Sequence, residues 1–258
     1  MKIEITPLIL TFNEKENIAR TMAGLSWAKE VLLIDSGSTD GTLEIARSAH
    51  PNVRIVTRSF DSFAGQCNFG LTRIVTPWVL SIDADYVLTG ELIAELKMLE
   101  PPANVAGYSA QFWYCVFGHR LRSTIYPART ILYRHELARY EDEGHGHRVR
   151  VDGAVRALRG KIEHDDRKPL GRWIQEQDSY ARIEARHLLK TRTEELGAQD
   201  RLRRRIYFAP LAMFWYLLVA RGLFLDGWRG WYYVMQRTIA EMLLAIRLLT
   251  ERERLEPP

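Results

Sequence analysis

The stretch Thr76-Pro-Trp-Val-Leu-Ser-Ile-Asp-Ala-Asp-Tyr86 carries an apolar run of strand length that ends on two carboxylates one residue apart. Five residues from Trp78 to Ile82, with Thr-Pro before them, read as a strand buried on both faces, the kind a parallel sheet uses. Burying carboxylates is costly unless a cation or hydrogen-bond donors compensate, so Asp83 and Asp85 point to a strand end that meets solvent, a divalent metal or a ligand. Open α/β sheets bind ligands beyond the carboxyl ends of their strands. Taken alone, the pair serves equally well as two turn aspartates capping the next helix.

The flanking sequence repeats the pattern. Ile5-Thr-Pro-Leu-Ile-Leu-Thr-Phe12 is β-rich and runs into Asn13-Glu14, after which Ile18, Met22 and Leu25 share one helical face. Val31-Leu-Leu-Ile34 stops at Asp35-Ser-Gly-Ser-Thr-Asp-Gly-Thr42, where two glycines permit tight turns and Ser38, Thr39 and Asp40 suit the start of a helix over Thr42 to Ala49. A strand over Val53 to Thr57 and a helix over Phe63 to Val75 complete four alternations before Trp78. That rhythm predicts an α/β fold with a Rossmann-like, mostly parallel sheet and helices on its faces. Asn13-Glu14, Asp35 and Asp83-Ala-Asp85 then stand on one rim.

After a helix over Glu91 to Leu99, Pro101-Pro102 breaks the rhythm. Val105 to Val116 and Thr130 to Tyr133 read as strands that add mixed or antiparallel partners. Tyr140 to His147 reads as a polar, glycine-loosened loop. Lys161 to Pro169 reads as a short strand ending in His164 and carboxylates, and a charged helix follows to Lys190. Ile206 to Ala220 is uncharged but too short to span a bilayer, which predicts an interfacial, re-entrant or packed helix. From Met235, apolar residues at helical spacing through Ile239, Met242, Ile246 and Leu249 form a narrow stripe. Its alternatives are intramolecular packing, a homodimer seam or a membrane seat.

Composition bounds the rest. With 258 residues, 47% hydrophobic and 26% charged, the chain holds one full core plus an appended segment, and disorder is excluded. The net charge of +4 is mild, but arginine crowds the second half, above all at Arg201-Leu-Arg-Arg-Arg205. Beside an apolar run, that cluster suggests an anionic membrane surface, with nucleic acid or a solvated helix face as the other readings. Cys67 and Cys115 have no zinc or redox spacing and suit a reducing compartment. No signal-peptide pattern opens the chain, so a cytoplasmic location is expected, peripheral on the inner face of the membrane.

Thr11-Phe-Asn-Glu-Lys-Glu-Asn-Ile18, Val31 to Thr42 and Trp78 to Asp85 together resemble the successive signatures of family 2 inverting glycosyltransferases with the GT-A fold. Gln66-Cys-Asn68 resembles the branch that includes lipopolysaccharide-core and exopolysaccharide glucosyltransferases. The resemblance implies that residues 1–100 bind the nucleotide sugar, 101–190 serve the acceptor and 191–258 form a helical membrane-associating or dimerising extension. It also implies that Thr11, Asn13, Glu14 and Gln66 line the donor pocket, that Asp35 contacts the base, and that Asp83 and Ala84 approach the ribose or sugar. Asp85 would ligate Mg²⁺ or Mn²⁺, with His164 as a further ligand or a diphosphate contact, though the residues alone serve equally well as a surface His beside a helix-capping aspartate. Relatives carry a Val-His-Glu pattern where this chain reads Glu141 to His147, so the general base is expected at Glu143 or Asp142, with His145 and His147 beside the substrates. Tyr86 is a second departure, since relatives often carry Glu there.

The expected activity is therefore metal-dependent transfer of a sugar from a nucleotide donor, UDP-linked by resemblance, to a lipid-linked or saccharide acceptor, with no nucleic-acid partner. A nucleotidyltransferase would also use a metal at a strand end, but it calls for a basic, glycine-rich first loop where this chain has Asn13-Glu14-Lys15-Glu16. A non-catalytic, membrane-docking nucleotide-sugar-binding protein would have no physical need for the clustered carboxylates.

Overall fold

The computed structural model describes residues 3–143 and 146–255. The chain divides into two compact units, Met1–Arg120 with Ile125–Lys168, and Leu121–Thr124 with Pro169–Pro258.

The first unit opens with β1 (Ile5–Thr11), α1 (Ile18–Ala23), β2 (Val31–Asp35), α2 (Thr42–Ala49), β3 (Val53–Thr57), α3 (Phe63–Leu71) and β4 (Trp78–Asp83). These four strands are parallel in the order β3-β2-β1-β4, so the chain reverses its direction of travel across the sheet between β1 and β4. Such a reversal opens a crevice at the carboxyl ends of the strands. It is followed by β5 (Tyr86–Leu88), α4 (Gly90–Met98), β6 (Val105–Ala110), β7 (Phe112–Val116), β8 (His119–Arg120) and β9 (Arg129–Arg134). The unit closes with β10 (Ala138–Glu143), β11 (Gly146–Val151), β12 (Ala154–Ala157) and β13 (Ile162–His164). Antiparallel β9 continues the main sheet beyond β4, with β6 and β12 outside it, giving seven strands. A second sheet, β5-β13-β7-β8, stands apart from it, and β10 pairs with β11 alone. The expected α/β architecture, a mostly parallel sheet flanked by helices, is what the chain adopts.

Apolar side chains alternate between the two faces of the sheet, as a strand period of two requires. Ile9, Leu33 and Leu80 pack with Ile18, Met22, Leu92 and Leu96 of α1 and α4. Leu8, Leu32, Ile34 and Val79 pack on the other face with Ala64, Cys67 and Leu71 of α3 and with Tyr140 of β10. Each such side chain contributes roughly 1.5–3 kcal/mol on burial.

Three expectations change. The α3 helix stops at Leu71, four residues short, because Thr72, Ile74, Val75 and Thr76 are β-branched and Pro77 disfavours helix before it. The run Val105 to Val116 breaks at Gln111 into strands of two different sheets. Tyr140 to His147 is mostly the β10–β11 hairpin rather than a loop, since Ala138, Tyr140, Val149 and Val151 alternate inward against the α3 face. The Asn68 side chain clamps that hairpin, accepting from Tyr140 N at 2.9 Å and donating to Tyr140 O at 3.0 Å.

The second unit is helical: α5 (Leu170–Lys190), α6 (Ala198–Arg203), α7 (Phe208–Trp215), a π turn over Tyr216–Ala220, a 3₁₀ turn over Leu223–Asp226 and α8 (Gly227–Leu255). Ala181, Ala185 and Leu188 of α5 pack on Leu244 and Leu248 of α8. The buried Glu241 carboxylate is held by the Arg203 guanidinium at 2.6 Å, which offsets the cost of its burial. Met235, Ile239, Met242, Ile246 and Leu249 face outward, so the stripe is not intramolecular packing. Among the described residues no single helix is long and apolar enough to cross a membrane; Phe208–Ala220 and Leu223–Arg254 reach that level only together, bent by 69°.

Candidate active site

The register of the parallel strands puts the acidic stations side by side. Thr11 pairs with Asp35, and Leu10 with Asp83, so the ends of β1, β2 and β4 share one rim. The loops leaving β1 and β2 are stitched together there. Asn13 adopts a left-handed backbone, φ 56°, which a short polar side chain tolerates better than most. Its backbone N donates to Ser38 Oγ at 2.8 Å and its side-chain oxygen accepts from Thr39 N at 2.8 Å. Glu14 N donates to Thr42 Oγ1 at 2.7 Å. Asp35 is fully buried and its carboxylate accepts from Gly37 N at 2.9 Å and Ser38 N at 3.0 Å, and from the Ser38 hydroxyl. It shapes the turn from which the loop projects. Thr11 Oγ1 is buried without a hydrogen-bond partner among the described residues. Gln66 is buried farther along, where its amide donates to Ser36 Oγ, Arg58 O and Ser59 O.

The centre of the site is the meeting of Asp85 with His164. His164 Nε2 lies 3.1 Å from Asp85 Oδ2, while Asp85 Oδ1 and His164 Nδ1 are buried with no hydrogen-bond partner among the described residues. The pairing follows from β13 lying antiparallel to β5, with His164 opposite Tyr86, and from Asp165 N donating to Asp85 O at 3.2 Å. Burial pushes the Asp85 carboxyl up, but the charge and hydrogen bond of His164, with Lys168 behind them, outweigh it and hold the carboxyl below the usual carboxylate range. His164 is enclosed rather than on the surface, with the rings of Tyr126, Tyr114 and Tyr86 at 4.7, 5.0 and 5.3 Å between centroids. An unpartnered buried carboxylate oxygen beside an imidazole is a donor pair that would suit a divalent ion, although no group of three or more His, Cys, Asp or Glu side chains that could hold one is found among the described residues.

Asp83 is half-exposed and faces Arg129 Nη1 at 3.5 Å. Arg129 also donates to Tyr86 Oη at 3.3 Å, and Tyr86 shares a 2.6 Å hydrogen bond with Tyr126. Tyr86 therefore builds the wall around His164. Between the two Asp residues, Ala84 is buried and its carbonyl accepts from Thr21 Oγ1 at 2.6 Å, which ties the motif to α1.

Glu14 is buried beside this centre, with Lys168 Nζ 3.1 Å from its Oε1 and Asn17 Nδ2 donating to its Oε2 at 2.9 Å. Burial pushes its carboxyl up to about 7, against the pull of Lys168 and with a further push from Asp85. Asp165, next to His164, is gripped by Arg20 and Arg167. Sequence reasoning missed Lys168, Arg129, Arg20 and Asn17. The dense alternation Asp165-Asp166-Arg167-Lys168 directly after His164 was the signal for the first of these; Arg129 carried none.

Of the two expected base residues, only Asp142 has its side chain among the described residues. Asp142 lies on β10, and its Oδ1 accepts from Ala64 N at 3.2 Å in the first turn of α3. The side chains of Glu143 and His147 and the whole of His145 lie outside the described residues.

Residues 8–156 match the model of glycosyl transferase family 2, more than half of the chain, and the protein belongs to that family. Over nearly its whole length the chain is similar to the lipopolysaccharide core biosynthesis glycosyltransferase LpsC of Rhizobium meliloti, with 25% identity over 96% of this chain and 92% of that one. An uncharacterised glycosyltransferase of Rickettsia typhi is 32% identical over 42% of this chain, which spans only 36% of that relative. Among solved structures, S. aureus TarS 1–349 in complex with UDP aligns with 98% of this chain and 92% of its own at a TM-score of 0.48 and 14% identity. Glucosyl-3-phosphoglycerate synthase from Mycobacterium tuberculosis, crystallised with Mn²⁺, UDP and glucosyl-3-phosphoglycerate, aligns with 72% of this chain and 79% of its own at 0.46 and 15%. The protein is a glycosyltransferase.

Proposed function

We propose that the chain is a metal-dependent, inverting glycosyltransferase that moves a sugar from a UDP-linked donor to a lipid-linked or lipopolysaccharide-type saccharide at the inner face of the cytoplasmic membrane. The observation that carries this reading is the Asp85 carboxylate, with one oxygen on His164 and the other buried and unpartnered among the described residues. Asp85 and His164 would hold Mg²⁺ or Mn²⁺. A bound divalent ion neutralises the charge that grows on a departing nucleoside diphosphate, worth several kcal/mol at the transition state.

The chain's own residues supply the rest. The loop from Ser36 to Gly41, fixed by Asp35 and locked to Asn13, shapes the nucleoside pocket. Asp83 offers its half-exposed carboxylate to ribose or sugar hydroxyls, steadied by Arg129. Glu143, at the end of β10, takes the proton from the acceptor hydroxyl as that oxygen attacks the anomeric carbon, and Asp142 stands next to it as the second carboxylate. Residues 1–100 then serve the donor and 101–190 the acceptor. The similarity to LpsC over 96% of the chain supports the choice of acceptor class.

Calorimetric titration of UDP and GDP with and without Mn²⁺ tests this reading. Tight UDP binding that requires Mn²⁺ is the expected result; metal-independent binding, or none, removes the mechanism.

A further inference from the structure

The long C-terminal helix α8 is apolar on two faces, and only one of them packs. Tyr233, Val234, Leu244 and Leu248 are buried inside the second unit. On the opposite side, Trp228, Trp231, Met235, Ile239, Met242 and Leu249 are all at least 39% exposed. At 100° per residue these positions fall within about 40° of a single line, and at 1.5 Å per residue the stripe is about 31 Å long. No charged residue interrupts it. Phe208, Leu211 and Trp215 of α7 are exposed to 61%, 64% and 59%, and α7 packs on α8. A soluble surface leaves an apolar face of this extent uncovered only where something docks.

Charge and aromatic placement identify the occupant. Residues 201–258 hold ten arginines and five acidic residues, an excess larger than the net +4 of the whole chain. Arg201 and Arg205, at the entry to α7, are exposed and have no acidic partner among the described residues. Tyr207, Trp215 and Trp228 are exposed on the same unit, and the Arg229 guanidinium lies over the Trp228 ring at 4.7 Å. Amphipathic rings and arginines around an apolar strip match the headgroup layer of an anionic bilayer. A second copy of the chain would set the same arginine excess against itself.

We infer that the exposed face of α7 and α8 is a seat on an anionic phospholipid surface, lying within the headgroup layer, its 69° bend keeping both helices along the membrane. The inference rests on the proposed lipid-linked acceptor for its purpose, and on the exposed face alone for its geometry. Flotation of the full chain with phosphatidylcholine vesicles, alone or mixed with phosphatidylglycerol, tests it. The chain should float with the mixed vesicles and detach as salt is raised. Met242→Gln/Ile246→Gln, at exposed positions, and Arg201→Gln/Arg205→Gln should each weaken binding about tenfold, with the circular dichroism spectrum and Mn²⁺-dependent UDP binding unchanged. A wild-type chain that stays off the mixed vesicles overturns the seat. So does a chain whose self-association, in sedimentation velocity, is lost in Met242→Gln/Ile246→Gln while its vesicle binding is not. Vesicle binding without UDP binding leaves the seat standing and removes the proposed UDP-linked, metal-dependent mechanism instead.

Discussion

Asp85 and His164, 79 residues apart in sequence, meet at 3.1 Å with one buried oxygen of the carboxylate left unpartnered among the described residues. His164 and Lys168 keep the carboxylate charged despite its burial, yet one oxygen has no hydrogen-bond donor among the described residues, a shortfall that packing does not explain. If that oxygen holds a divalent ion, Asp85→Asn should abolish the Mn²⁺-dependent part of UDP binding and lower turnover about a hundredfold or more. His164→Ala should weaken Mn²⁺ affinity about tenfold or more. Mn²⁺ titration followed by UDP titration of each variant measures both, and an Asp85→Asn protein that still couples UDP to Mn²⁺ would sink the assignment.

The Asn13 junction makes a second, purely structural expectation. Asn13→Ala removes the hydrogen bond to Thr39 N and places a methyl on a left-handed backbone, a combined loss of about 2–3 kcal/mol. Asn13→Gly loses the same hydrogen bond but relaxes the backbone, and should cost about 1 kcal/mol. Urea unfolding distinguishes them; equal losses would mean that the backbone at residue 13 carries no strain. Because the junction joins the loops after β1 and β2, UDP affinity should fall in the same order.

Why the first hundred residues were readable and the rest was not follows from where the information lies. Trp78 to Asp85, Val31 to Thr42 and Ile5 to Glu14 each combine a strand, a turn and a carboxylate within a dozen residues, so local pattern alone gave the parallel sheet and its acidic rim. The hairpin at Tyr140 was hidden because its inward residues are buried by α3, a partner some 70 residues earlier. Arg129 and Lys168 reach Asp83 and Glu14 only through the tertiary fold; the charged run after His164 marked Lys168 but not its partner, and an isolated residue such as Arg129 has no periodicity to betray it. On α8 the stripe was visible, but which of its two apolar faces is buried depends on α5.

Glu14 links the site to pH. Its carboxyl sits at about 7 in the folded chain instead of the ordinary 4.5, because burial outweighs Lys168. A raised folded-state value means that the folded state holds the proton more tightly, so this contribution to stability is full below about 4.5 and is lost as pH rises through about 7. At about 1.4 kcal/mol per unit the loss is limited to about 3 kcal/mol. Glu14→Gln cannot ionise, so its unfolding free energy should fall by about 2 kcal/mol less than the wild type's between pH of about 5 and about 8. Urea denaturation at both pH values reads the difference, and parallel curves would show that Glu14 is already ionised at low pH.

The two carboxylates near the hairpin tip should separate by function. Asp142 accepts from Ala64 N in the first turn of α3, so its duty is to anchor the hairpin to the helix, an interaction worth about 1 kcal/mol. Asp142→Asn keeps an acceptor oxygen there, and kcat should fall less than about tenfold. Glu143→Gln removes a proton acceptor, and a general base contributes roughly a hundred- to ten-thousandfold. Its kcat should drop within that range while Mn²⁺-dependent UDP binding is unchanged, and the acidic limb of the pH–rate profile should disappear. A large kcat loss in Asp142→Asn with a mild one in Glu143→Gln would move the base to Asp142. Mild losses in both would take the proton acceptor away from these two carboxylates, with His145→Ala and His147→Ala as the next variants to measure.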